Sequence, residues 1–551
     1  MNPYRFRSGA LCIVLSVLLA LLLPPVFARA IEITPLEAPG GVVTSMQDFE
    51  QALGGYVLFP RDNEVVISRD IVLMSPLVIR GGDYLLTGAG CRLYRGFEDG
   101  NLICAEDGAK LQIGRERSES DDVSLIISGN VKTISNNNDF EFQRENEKIT
   151  AFDPAHVKGA LIHVSGGSKV TQYGGTAIQN NHSIEGGGGI ICENGSFQLI
   201  GGELQNCSSD QDGGIILLKS KGEFLLGAGT VSGGLAKENG GILASLSDSE
   251  CSIVNGTLEQ GQANQGGAIY AEGKINYQNA IITSCSAEKG GGVYYAGDNT
   301  ITGLSINDCN AETGGAIYLG NGVNLTLESC NITKNSATQG GGIFLDGTVL
   351  FKDGVISQNK AEMGGGYFVT SQATLRTEGG TAGSNEAKLG GGIFNEGTII
   401  GINCSIALNR AEIGEAVLNL GVLQIYQSFY CSESNSILLV LDPSGKGAIT
   451  VMQSPLQSQP PYLIPGRRGD GGIVEPDYNA SLPLLIGDEE LVKQASAIVK
   501  IVSDGNDQYG LTESGMISRR INYMIPILIG AGVICALCAA CIVTHRRRKE
   551  R

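Results

Sequence analysis

Between residues 188 and 417 the apolar residues come in short runs, divided by polar turn residues at regular intervals. A Gly-Gly followed by two apolar residues starts at Gly188, Gly213, Gly240, Gly266, Gly291, Gly314, Gly341, Gly365 and Gly391, with spacings of 23–27. A worn copy, Gly414-Glu415-Ala416-Val417, follows 23 residues later. A second motif keeps step with the first. Cys285, Cys309, Asn335, Asn359, Asn385 and Asn409 each stand two residues before an Ala, at intervals of 24 or 26. Two motifs on one period mark an internal repeat, and the repeat governs the fold.

The unit from Gly341 to Gly364 reads as three β runs of 3–5 residues. Gly-Gly-Ile-Phe-Leu, Thr-Val-Leu-Phe-Lys and Val-Ile-Ser-Gln-Asn are separated by the turn pairs Asp346-Gly347 and Asp353-Gly354. No 3.6-residue period runs through it. The Leu frame of a leucine-rich repeat is absent, and a propeller blade needs roughly 40–50 residues. Three short strands in about 25 residues predict one coil of a single-stranded parallel β-helix, stacked at ~4.8 Å per coil. Each inward Asn then meets its copy in the next coil and forms a ladder. The Gly-Gly pair supplies the corner, where positive φ and close backbone approach are needed.

The expected domain order follows. Residues 31–187 form the N-terminal cap and first coils, with polar loops at Arg115–Asp122 and 136–148 protruding as a candidate binding face. Residues 188–452 form the regular helix, and 453–520 a Pro-containing β cap or stalk. At ~25 residues per coil the body holds about 16 coils, a rod of ~80 Å.

The GGAIY, GGGIF and GGGVYY strings, each following an N-x-A or C-x-A, resemble the repeats of polymorphic outer membrane proteins and related right-handed parallel β-helix surface proteins. The likeness covers about 188–417, less than half the chain. It implies a pectin-lyase-like coil and adhesin-like surface display. Those proteins usually end in an export barrel, and this chain does not match that pattern at its end.

The two ends are expected to be addresses. Residues 1–30 have the positive start, apolar run and Ala28-Arg29-Ala30 site of a secretory signal. Residues 521–544 are apolar enough for one transmembrane helix, and 545–551 are a basic cytoplasmic tail. The body would then stand outside, at the cell surface, held by that helix. Net charge over the chain is −18, but 31–518 holds 29 basic and 56 acidic residues, net −27. Such a body repels nucleic acid, so no nucleic-acid partner is expected.

Cysteine use opens two readings. Cys285 and Cys309 occupy the ladder position in consecutive coils, where the ~4.8 Å step fits either a disulfide or two buried thiols. N-x-S/T triplets at Asn181, Asn194, Asn206, Asn255, Asn324, Asn331, Asn403 and Asn479 are glycosylation candidates if the compartment supports it. No catalytic, metal-binding or cofactor residues are assigned, and calcium is the one cation worth testing. Glu288, Glu312, Glu362, Glu386 and Glu412 read as a regular carboxylate row on a solvated face. The leading reading is therefore a non-enzymatic surface protein that recognises a protein or glycan on a host or neighbouring cell. A polysaccharide lyase or hydrolase, which needs a carboxylate pair in a cleft, and an inert spacer are the alternatives.

Overall fold

The computed structural model describes the backbone of residues 34–116, 124–136, 139–412 and 414–432, then separate strands as far as Arg520. Side chains are described to residue 424. The expected signal and membrane helix lie outside the described residues. Among the described residues no helix is long and apolar enough to cross a membrane.

The chain winds as a parallel β-solenoid. One wall is a 15-stranded sheet running from Gly41–Val43 to Ile437–Leu439, with every neighbour parallel and in register. Fifteen strands at ~4.8 Å set this wall at about 70 Å. The strands are three or four residues long. Ile343 and Leu345 point inward and are fully buried, while Phe344 between them points outward. A second wall stacks nine strands from Val57–Arg61 to Lys274–Gln278. The third carries the remaining strands. One continuous apolar core fills the interior from Ala38 to Leu423.

The three-strand coil needs one amendment. In the upper coils the second and third runs fuse into single bent strands, Asn324–Thr333, Thr348–Ser357 and Thr398–Ala407. A left-handed residue makes the bend, as at Ser329 (φ 53°) and Asp353 (φ 51°). The turn pair Asp353-Gly354 therefore bends a strand rather than ending it. The segment that was to close the loop also stacks. Ser286–Lys289 and Asn310–Thr313 are short parallel strands, and Lys360 and Glu386 continue the row as parallel bridges.

The corner motif shifts by one residue. The left-handed glycines are Gly187, Gly213, Gly240, Gly266, Gly290, Gly314, Gly340, Gly364, Gly390 and Gly414, with φ of 58–68°. So Gly188, Gly291, Gly341, Gly365 and Gly391 are the second corner residue. Where the third position is Gly instead of Ile or Ala, pairing Gly-Gly with two apolar residues slides the frame forward. The second residue is Gly for a different reason. A Cβ on Gly315 would lie 2.3 Å from the Gly341 carbonyl oxygen of the next coil. Gly315→Ala should therefore displace two coils and lower stability by about 2–3 kcal/mol. A urea melt of the variant against the parent chain checks this.

The N-terminal end is closed by a short helix, Met46–Ala52. Ser45 caps it through the Asp48 N–H, and Phe49 is fully buried against Tyr84 at 5.0 Å. This plug covers the apolar interior that a terminal coil would otherwise expose. At the other end the parallel stack continues past residue 452. Ala448–Gln453 pairs parallel with Lys500–Ser503, and then Gln508–Leu511 and Ile517–Arg520 pair antiparallel.

Candidate functional site: a cleft under a hairpin

The ladder residues meet as a column. The Asn359 side chain makes four hydrogen bonds. Its Oδ1 accepts from the Asn335 backbone N–H (2.9 Å) and from Asn335 Nδ2 (3.0 Å). Its Nδ2 donates to the Ile332 carbonyl and to Asn385 Oδ1, both at 3.0 Å. Asn385 repeats the pattern toward Asn409, and Cys309 donates its backbone N–H to Asn335 Oδ1 at 3.0 Å. Register carries the same position upstream through Cys285, Gly261, Gly234, Cys207 and Asn181. Those last four were not singled out from the sequence. The x-then-small spacing to Ala263, Ala236, Ser209 and Ser183 was the available signal.

Cys285 and Cys309 are both buried free thiols here. The adjacent Cys309 sulfur, and then burial, push the Cys285 thiol well above its ordinary value. Of the glycosylation candidates, Asn181 is fully buried, whereas Asn194, Asn206, Asn255, Asn324 and Asn331 are exposed.

The carboxylate row also changes. Glu288, Glu312, Glu362 and Glu412 share a column three residues after the ladder position, interrupted by Thr338 and Lys388. Glu386 stands two residues earlier and pairs with Lys360 at 3.2 Å. Lys388 pairs with Glu362 at 2.7 Å. Opposite charges therefore answer one another in the upper coils. Glu288 and Glu312, in consecutive coils, form no ion pair with a described residue.

Those two carboxylates face a cleft. The stretch 136–148, read as a protruding loop, instead supplies the second strand of an antiparallel hairpin, Val131–Asn136 with Asp139–Arg144, folded back onto the coils. Its residues alternate between faces. Lys132, Ile134, Asp139, Glu141 and Gln143 are exposed, while Thr133, Ser135, Phe140 and Phe142 are half-buried against the solenoid. Phe142 lies 4.4 Å and Phe140 6.2 Å from the His182 ring, centroid to centroid. Thr133 Oγ1 bonds Ser208 Oγ at 2.6 Å. The base is tied more firmly. Arg144 donates to the Ile149 carbonyl at 2.8 Å, and Glu145 accepts from Ser128 (2.5 Å) and Asn180 (2.8 Å) and pairs with Arg92.

Between hairpin and coils lies a cavity of about 690 Å³. Ser135 and Phe140 roof it. Lys237, Asn264, Glu288 and Glu312 belong to its floor. Lys237 is engaged by Asp210 at 2.7 Å and sits 5.2 Å over the Phe140 ring. On the N-terminal side of the cleft, under the hairpin, His182 is fully buried, with Nδ1 3.0 Å from Ser208 Oγ and Nε2 3.8 Å from Asp210. Burial, with Lys237 adding to it and Asp210 opposing, pushes His182 down to about 4. The ring is neutral at pH 7. Among the described residues no group of three or more His, Cys, Asp or Glu is placed to hold a metal ion.

Residues 260–411 match the family model of the right-handed β-helix region. The match spans the C-terminal part of the cleft floor and the Cys–Asn column. Together with the parallel stack it identifies the fold as a right-handed parallel β-helix, a fold found in both enzymes and binding proteins. No curated protein and no solved structure matches the chain.

Proposed function

We propose that this is a surface-displayed recognition protein of the adhesin kind, which takes its partner in the cleft between the 131–144 hairpin and the coils. The carrying observation is the make-up of that cleft. It spans several coils and mixes a phenyl ring, amides, hydroxyls and two carboxylates that form no ion pair with a described residue. Such a surface suits a polar, extended ligand, either a glycan or a polypeptide segment. The signal expected at 1–30, the apolar segment at 521–544 and the resemblance of the repeat strings to those of polymorphic outer membrane proteins support display outside a membrane.

One feature favours a second reading. Glu288 and Glu312 hold the same register position in consecutive coils and both line the cleft, and a pair of carboxylates in a cleft is what glycoside hydrolysis needs. A glycan array probed with the purified chain, with and without calcium, separates the two. Recognition predicts retention without products, and Glu288→Gln and Glu312→Gln each change affinity by no more than about tenfold. Cleavage products that vanish in either variant would replace the recognition reading with the enzymatic one.

A further inference from the structure

The hairpin that roofs the cleft also covers a fully buried histidine, His182. Its two ends are held differently. The base is tied by Arg144 and Glu145 to several backbone and side-chain partners. The part over the cleft rests on two rings against His182, on Lys237 against the Phe140 ring, on Phe142 against the apolar cluster of Val72, Tyr94 and Val131, and on one hydroxyl pair, Thr133 with Ser208. His182 Nε2 is buried without a hydrogen-bond partner.

The charged surroundings of the ring are few. From the next coil it faces Ser208 and Asp210, and from the coil after that Lys237. From the hairpin it faces Phe140 and Phe142, while Lys132, Asp139 and Glu141 are exposed on the hairpin's far side and tip. Arg144, at the hairpin base, is occupied by backbone carbonyls. Among the described residues Asp210 is the carboxylate that faces the ring, and Lys237 already holds it at 2.7 Å. A proton on His182 would therefore place a second cation beside Lys237, under two phenyl rings and away from water. Attraction of the rings for a cation is small beside that loss of hydration.

We propose that the 131–144 hairpin is an acid-released strap, which protonation of His182 lifts from the coils, opening the roof of the cleft and weakening whatever it holds. The ligand half of this rests on the recognition reading above; the strap half does not. The sign is fixed by linkage. With the strap closed, burial depresses His182 to about 4; with it open, the ring regains ordinary histidine behaviour. The closed state is fully favoured above the ordinary range and loses ground as pH falls toward 4. Between pH 8 and pH 5 the closing equilibrium should fall by about 30-fold.

Hydrogen exchange of the full chain, corrected for intrinsic rates, measures this directly. Protection of peptides from 131–144 should drop about 30-fold from pH 8 to pH 5, while coil peptides from 341–369 keep theirs. His182→Gln, which can still bond Ser208, should remove the pH dependence. Unchanged hairpin protection in the parent chain, or the same drop in His182→Gln, overturns the strap. The chain contains no Trp, so Phe140→Trp gives a single reporter, and its emission should shift to the red over the same pH range. For any glycan retained on the array, affinity should fall in step with hairpin protection. Affinity that holds while the hairpin opens overturns the gating of the cleft and leaves the strap standing. A chain that binds nothing removes the recognition reading alone.

Discussion

Asn359→Ala is expected to cost about 3–5 kcal/mol, more than truncating a solvated side chain of the same size. Four hydrogen bonds end on this one amide, and the residue is fully buried. Its removal strands the Asn335 N–H and Nδ2 without their acceptor and leaves Asn385 Oδ1 and the Ile332 carbonyl each short of a donor. Water has no route to replace them. Asn359→Asp should do no better. It keeps the acceptors for Asn335 but presents oxygen to the Ile332 carbonyl and Asn385 Oδ1, where only a donor is tolerated. Cys309→Asn tests the same logic in the other direction. Asn335 donates to the Ile306 carbonyl, three residues before Cys309 in the coil below. An Asn at 309 would find the Ile282 carbonyl in the equivalent place, so the ladder should extend by one rung at little cost. Urea melts of the three variants, with hydrogen exchange across 331–390 to place the damage, check all of this. A melt for Asn359→Ala within 1 kcal/mol of the parent would mean that the amide column is ornamental to stability.

The coil was readable because every copy must solve the same packing problem with the same residues. Asn335, Asn359, Asn385 and Asn409 repeat because each amide needs an amide above and below it. The position stopped being readable where its chemistry changed. Gly261, Gly234 and Cys207 fill it without resembling Asn, and only backbone register ties them to the column. The corner slipped by one residue for a related reason. A Gly triplet offers two Gly-Gly frames, and only φ tells which glycine turns the chain. The stretch 136–148 was legible as a candidate binding face, but the cleft it roofs was not. Alternation along Val131–Asn136 and Asp139–Arg144 is local, but the partners Thr133 and Ser208 lie 75 residues apart. Nothing in the hairpin's own composition says on which coil it lands. The acidic column was half-readable: its spacing showed, but not that Lys388 and Lys360 neutralise its upper part and leave Glu288 and Glu312 without an ion pair to a described residue.

Phe368→Ala should be nearly as damaging, at about 3–4 kcal/mol, although the ring is on the outer face of its strand. Outward side chains of a sheet are normally solvated, and this column is an exception. Tyr270, Tyr294, Tyr318, Phe344, Phe368 and Phe394 stack with centroids 4.8–5.4 Å apart and planes within 23° of parallel. The ~4.8 Å coil step falls within the centroid range of offset-stacked rings, so each ring covers the faces of its neighbours. Phe368 is only 6% exposed, and Met363 and Leu389 close its sides. Truncation therefore uncovers two faces, one on Phe344 and one on Phe394, besides losing its own contacts. Phe368→Tyr keeps the stack and should cost under about 1 kcal/mol, since Tyr318 already holds the same position two coils below. The double variant Asn359→Ala/Phe368→Ala carries the argument furthest. Asn359 sits in the turn that leads into the strand of Phe368, so both changes free the same coil. In a solenoid a coil once freed is lost only once, and the combined cost should fall at least about 1 kcal/mol short of the sum. Full additivity in the double-mutant cycle would mean that the amide column and the ring column hold the coil independently, and that the solenoid fails wall by wall rather than coil by coil.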